Sequence, residues 1–207
     1  MIYIVIMKNA RQTGFTLYEL LITVLIVGVI LSLGLPNLRD YAANSRLTGT
    51  ANDLHAAFQL ARSEAVKSKS NVTICASATP LGADPVCDGT WNQGYIVFLD
   101  DDGDLNRNGA NEPILRTHGP IDNSVTLAVR GNASYFSYAS TGLGRGDVGG
   151  APALSQVIIC DRRGTLEASQ GFSSARLFVT TPIGRATVVR DLSSVQNALT
   201  LMGKSCP

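Results

Sequence analysis

The chain has 207 residues, 45% of them hydrophobic and 16% charged, with a formal net charge of +1. That composition excludes an intrinsically disordered chain and suits one domain with a real core plus an appendage. With two histidines and no recognisable nucleophile motif, the sequence also points away from intrinsic catalysis and from any cofactor.

From Leu20 to Leu35 the chain reads LLITVLIVGVILSLGL, without an ionisable group. The apolar run beginning at Phe15 has about 21 residues and reaches about 30 Å as a helix, the depth of a bilayer core. Glu19 stands inside it. A charged side chain in such a run costs roughly 2.5 to 3.5 kcal/mol, so Glu19 reads as functional, with a partner to find. Every later apolar stretch is short enough to be a strand, and the rest of the chain should be soluble. The short basic flank Lys8 to Gly14 (KNARQTG) keeps the N-terminus cytoplasmic and sends the remainder to the oxidising side. An ordinary secretory signal is cut after its apolar region. Here the small-residue junction Gly14-Phe15 precedes it, so a cut there would keep the apolar helix.

The run Gly14-Phe15-Thr16-Leu17-x-Glu19-Leu20-Leu21 resembles the class III signal of type IV pilins and type II secretion pseudopilins. The resemblance implies that a prepilin peptidase cuts after Gly14 and methylates Phe15. It further implies that Glu19 pairs with the N-terminal amine of a neighbouring subunit, and that Pro36 is the proline that kinks this family's helix. An unpaired buried carboxylate is costly, and a docking subunit that supplies an ammonium relieves it. Residues 1–14 are thus expected to be a leader and 15–36 a transmembrane and filament-core helix. MKNARQTG makes a typical short leader, so Met7 is the expected translation start.

After Pro36, Leu47, Ala51, Leu54, Phe58, Ala61 and Ala65 recur at spacings of four and three, a helix stripe. The spacing predicts an amphipathic helix over 37–70 that packs on a globular domain, with Arg39, Arg46, Asp53, Arg62, Glu64 and Lys67 outward. Pro36, with Gly28 and Gly34 nearby, predicts a bend or an interruption. From Asn71 the signal changes to short β-rich runs broken by Gly, Pro, Asn and Asp: NVTICASA, GYIVFL, EPILRTH, SVTLAVR, ASYFSYAS, QVIICDRR, SARLFVTT and RATVVR. Eight strands after one helix give an α+β fold: a long kinked N-terminal helix packed on a C-terminal β-rich sheet or sandwich over 71–207. TGLGRGDVGG, at 141–150, reads as a mobile loop, and its glycines do not fit a phosphate cradle.

WNQGYIVFLDDDGDLNRNGANEPILR, at 91–116, together with ARSEA at 61–65, is similar to the GspH/FimT/FimU branch of minor pilins. That resemblance implies a non-catalytic subunit that helps initiate a type IV pilus near its tip, with other minor pilins and the major pilin as partners. It places the precursor in the inner membrane by a single pass, with its domain in the periplasm, and the mature subunit in an extracellular pilus. Two other roles occur in this group: the H-like minor pseudopilin of a type II secretion system, and the FimT-like capture of DNA for uptake.

Four cysteines in an exported domain suggest two disulfides, and Cys75-Cys87 with Cys160-Cys206 is the most economical of three pairings. No CxxC spacing points to zinc or redox chemistry. The loop from Asp100 to Glu112 holds five acids and three asparagines. Asp104, Asn106, Asn108 and Gly109 fit the first half of a calcium loop, but Leu115 stands where the bidentate Glu belongs, so a solvated hairpin loop is favoured over a metal.

Residues 71–129 carry 2 basic and 8 acidic groups, and 130–207 carry 8 basic and 4 acidic. Such asymmetry can mark a polyanion-binding face. In the FimT group a Gly-Arg-x-Arg motif is thought to bind DNA. Gly184-Arg185-Ala186-Thr187 keeps only its first arginine, and Arg190 is the nearest substitute. Five residues apart on a strand, Arg185 and Arg190 face opposite sides, which favours a basic face meeting the acidic face of a neighbouring subunit.

Overall fold

The computed structural model describes residues 14–206. The leader, with Met7 and residues 1–13, lies outside the described residues. The chain divides into two compact units after Ala42. Helix α1 runs over Leu17–Ser68, without a break at Pro36. Of the bend or interruption expected there, the interruption is not found. A proline inside a helix withdraws one N–H from the ladder, and the bonds on either side keep the backbone helical.

In the first unit, from Leu20 to Leu31, the helix carries no ionisable group and is apolar on every face. Its large side chains from Leu17 to Leu31 are exposed, and Leu17 itself is 80% exposed. A helix apolar on every face belongs in lipid or among other helices.

The second unit starts from the striped part of α1. Leu47, Ala51, Leu54, Ala57, Phe58, Ala61 and Ala65 are all buried. Alanines bring the helix axis close to its neighbours, while Leu47, Leu54 and Phe58 fill the space between. Among the described residues nine strands follow: β1 (Asn71–Ala76), β2 (Tyr95–Asp100), β3 (Ile114–His118), β4 (Val125–Val129), β5 (Tyr135–Tyr138), β6 (Gln156–Asp161), β7 (Glu167–Ser169), β8 (Phe172–Thr180) and β9 (Ala186–Asp191). A second helix, α2 (Leu192–Met202), closes the described chain.

The strands form two antiparallel sheets. One has the order β3-β2-β1-β5; the other runs β4-β6-β8-β7, with β9 also on β8. Alternation assigns the faces. Val72, Ile74, Val97 and Phe136 from the first sheet and Leu127, Val157, Ile159 and Phe178 from the second join the α1 stripe in one core. The opposite faces are covered too. Ile158, Cys160, Ala175 and Leu177 meet Val195 and Ala198 of α2, while Cys75, Ile96, Phe98 and Tyr135 lie under loop residues that include Leu105 and Val148. Both faces of β1 and β6 are thus buried, which explains their nearly continuous apolar sequences.

Two elements lack a counterpart in the strand-by-strand reading. The three residues of β7 are too short for a periodic signal. Helix α2 did carry one: Asp191 accepts a hydrogen bond from the Ser194 N–H at 2.8 Å, and Gly203 ends the helix with φ +60. The run 141–150, read as mobile, is pinned instead. Gly144 N donates to Pro182 O at 3.0 Å, Arg145 N to Ser137 O at 2.9 Å and Val148 N to Tyr135 Oη at 2.8 Å.

The sheets are stitched where the chain passes between them. Asn92 accepts from Leu127 N at 2.9 Å and donates to Leu127 O at 3.3 Å, so its amide covers the free edge of β4. The Trp91 indole N–H donates to Ala133 O at 2.9 Å.

Candidate functional site

Gly14, Phe15 and Thr16 precede α1 in non-helical backbone, and Phe15 is 80% exposed. Thr16 Oγ1 accepts from Glu19 N at 3.2 Å, and Thr16 O accepts from Leu20 N at 3.1 Å. Thr16-x-x-Glu19 has the spacing of a capping box, and an acid in the first turn is favoured by the positive end of the helix dipole. This local role for Glu19 went unread in the sequence, although the Thr-x-x-Glu signal was there. Its carboxylate is exposed. Pro36 lies within α1.

Cys75 is joined to Cys87 and Cys160 to Cys206. The first bond ties β1 to the 77–94 loop. The second holds the chain after α2 against the outer face of β6.

The acidic loop is held by its own hydrogen bonds. Asp104 is turned inward on its own loop: it accepts from Asn106 N at 2.7 Å and from Asn108 Nδ2 at 3.1 Å. The Asn106 N–H bond foremost holds its carboxyl below the usual carboxylate range. Asp104, Asn106 and Asn108 are thus linked to one another by an Asx turn and a side-chain hydrogen bond. The acids that do converge are Asp100, Asp102 and Glu112, whose carboxylate oxygens lie within 4.8 Å of one another. Asp100 ends β2 and is fully buried; it accepts from Thr73 Oγ1 at 2.6 Å and faces Arg145 Nη1 at 3.5 Å. Burial pushes its carboxyl up, against the pull of Thr73, Arg145 and the Gly103 and Leu105 N–H groups. Burial likewise raises Glu112, which accepts from Asn108 N at 2.6 Å.

Arg185 sits at the turn before β9 and Arg190 near the far end of that strand, both exposed. Five residues of strand separate them by about 16 Å. Arg190 lies over the Phe172 ring, 5.6 Å from its centroid. Gly184 is a packing residue: it adopts φ +75 and its carbonyl accepts from Tyr138 Oη at 3.1 Å. The two arginines are not brought together.

Of the helix charges expected outward, Asp53 is half-exposed and also reaches β3. Its carboxylate lies 3.5 Å from Arg116 Nη2 and 3.7 Å from His118 Nε2. The His118 ring stacks on Tyr95 at 4.8 Å. His55 Nε2 faces Gln59 at 3.4 Å on the helix surface. Both histidines are thus held by packing and polar neighbours.

Residues 50–184 match the family model of the type II transport protein GspH, which is most of the folded unit. The chain belongs to the GspH family. In this GspH-family member, residues 9–35 also match the prokaryotic N-terminal methylation motif. Two fimbrial proteins of Pseudomonas aeruginosa are each 36% identical to it over 69 residues. Those matches cover 33% of this chain and 43% of each relative, so the chain spans less than half the length of the curated relatives it matches. Crystal structures of the type IV minor pilin FimU of P. aeruginosa PAO1, in two crystal forms, are similar at 20% and 21% identity with TM-scores of 0.45 and 0.44. They cover 72% and 69% of this chain and 92% of each FimU chain. Membership places the chain among the pilin and pseudopilin structural subunits, and the methylation motif with the apolar helix fits a pilin anchored in a membrane.

Proposed function

We propose that this GspH-family chain is a minor pilin that a prepilin peptidase cuts after Gly14 and methylates on Phe15, and that then joins a type IV pilus through α1. The observation that carries the reading is α1 from Leu20 to Leu31, apolar on every side and exposed. Such a surface is stable only in hydrocarbon or among like helices, and a filament core of parallel helices supplies the second environment when the subunit leaves the first. Glu19 then becomes the register device. In the membrane it lies near the helix end, whereas in the filament it is neutralised by the amine of a neighbouring subunit. The subunit acts early in assembly and sits near the tip with other minor pilins, its domain periplasmic before assembly and extracellular afterwards.

Mass spectrometry of the mature N-terminal peptide should show N-methyl-Phe15. Glu19→Ala should leave membrane insertion intact and reduce recovery in sheared pili. Incorporation equal to that of the unaltered chain would refute the pairing role.

The family's description as a type II transport protein favours a second reading, a minor pseudopilin of a secretion system. Deletion separates the two. Loss of twitching with secretion intact supports the pilus, and the reverse supports the secretion system.

A further inference from the structure

Asp100 and Glu112 hold spare ligating capacity in a place where spare capacity is costly, beside the exposed Asp102, whose oxygens accept from Asp104 N at 3.1 Å and Asn108 Nδ2 at 3.2 Å. Asp100 is 0% and Glu112 4% exposed, yet Glu112 Oε1 has no hydrogen-bond partner and Asp100 Oδ1 has none of good geometry, the Gly103 and Leu105 N–H groups being the main-chain donors that face its carboxyl. Their sister oxygens are engaged, by Thr73 Oγ1 and by Asn108 N. Buried carboxylate oxygens are normally satisfied, and three carboxylates within 4.8 Å also repel one another. Arg145 approaches Asp100 at 3.5 Å from its Oδ2 side, one positive charge against three negative. Arg107, the cation of the loop, is turned away to Asp84, to Pro85 O and to the main-chain oxygen of Glu112. The cluster is left two charges short of neutral.

We propose that Asp100, Asp102 and Glu112 form a divalent-cation site that takes calcium. Calcium binds oxygens at about 2.3 to 2.6 Å, so ligands on opposite sides of the ion lie about 5 Å apart, the span these carboxylates have. Magnesium needs a tighter octahedron at about 2.0 to 2.1 Å. The double charge matches the deficit, and Asp100 Oδ1 and Glu112 Oε1 become ligands. Asp102 is exposed and gives the ion a way in, with water completing the shell. Because Asp100 ends β2 and Glu112 immediately precedes Pro113 and β3, the ion closes the loop between two paired strands.

The test is calorimetric titration of the full-length, detergent-solubilised protein with CaCl2 after EDTA treatment, paired with thermal unfolding with and without calcium. One saturable event per chain and a raised Tm are expected. Glu112→Gln and Asp102→Asn should each weaken binding at least tenfold, with folding checked by circular dichroism. Asp104→Asn, which keeps the loop's hydrogen-bond acceptor but lies outside the cluster, should leave affinity within threefold. Absence of saturable heat in the unaltered protein at millimolar calcium, or full affinity in both cluster variants, overturns the site. Tighter binding of MgCl2 than of CaCl2 overturns the choice of ion.

Discussion

Phe58 on α1 stands edge-on to Phe178 of β8, ring centroids 4.9 Å apart and planes at 65°. The same ring lies 5.3 Å from Phe136 of β5. One side chain of the helix therefore touches both sheets, which share no strand pairing. Aromatic pairs of this geometry add about 0.5 to 1.5 kcal/mol beyond the area they bury. Phe58→Ala should destabilise the folded unit by about 3 to 5 kcal/mol, and Phe58→Leu by less, because leucine refills part of the space. Urea unfolding followed by circular dichroism measures both. Equal losses for the two variants would show that ring contact, not volume, carries the site.

The two disulfides should differ in worth. Cys75 and Cys87 are 12 residues apart, Cys160 and Cys206 46. In the chain-entropy model the loops they close contribute about 3 and about 4 kcal/mol. The double variant Cys160→Ser with Cys206→Ser should accordingly lower the unfolding midpoint more than Cys75→Ser with Cys87→Ser. It should also raise amide exchange in α2, whose inward face depends on the same tether. Unchanged exchange in α2 would mean that Val195 and Ala198 hold the helix without the covalent link.

What the sequence made legible follows physical range. The stripe from Leu47 to Ala65 was visible because helical period is local, and every residue in it is buried. Strands were visible because β-branched runs end at Gly, Pro and Asn. The sheet partition was not, since pairing joins residues far apart, such as Val125 with Asp161. The acidic loop shows the same limit. Spacing within the loop suggested Asp104, Asn106 and Asn108, yet the convergent set spans from the end of β2 to the threshold of β3 and depends on Thr73 and Arg145 from other elements. Helix α2 is the exception, since Asp191, Val195 and Gly203 carried its cap, its face and its stop.

Gly184 and Arg185, adjacent in a motif that resembles a DNA-binding signature, should behave as opposites. A Cβ on Gly184 would lie 2.4 Å from Gly142 O and 2.9 Å from the Tyr138 ring, at φ +75. Strain in that region costs on the order of 1 to 3 kcal/mol even before the clash. Gly184→Ala should therefore destabilise clearly, whereas Arg185→Ala, at an exposed turn, should stay within about 0.5 kcal/mol of the parent. Thermal unfolding of the pair separates a packing role for the glycine from a surface role for the arginine.

Acid should cost the domain stability through Asp161. Burial by itself would push this carboxyl up, but Arg163 overrides it with its backbone N–H at 2.9 Å and its guanidinium at 2.7 Å, leaving Asp161 below the usual range. Arg162 adds to that pull. Arg176, the buried cation nearby, is itself held down to about 10, foremost by burial and then by Arg190 and Arg163. The same Arg163 guanidinium donates to Asn44 Oδ1 at 3.1 Å, joining β6 to α1. The folded carboxyl is the stronger acid, so its contribution is full above the unfolded value of about 3.9 and disappears as pH falls through the lower folded one. Stability should decline below about pH 4, whereas Asp161→Asn, with no proton to take up, should be weaker at neutral pH and flatter across that acid window. Unfolding free energies at stepped pH for both proteins check this. Parallel curves would assign the acid loss to other carboxylates.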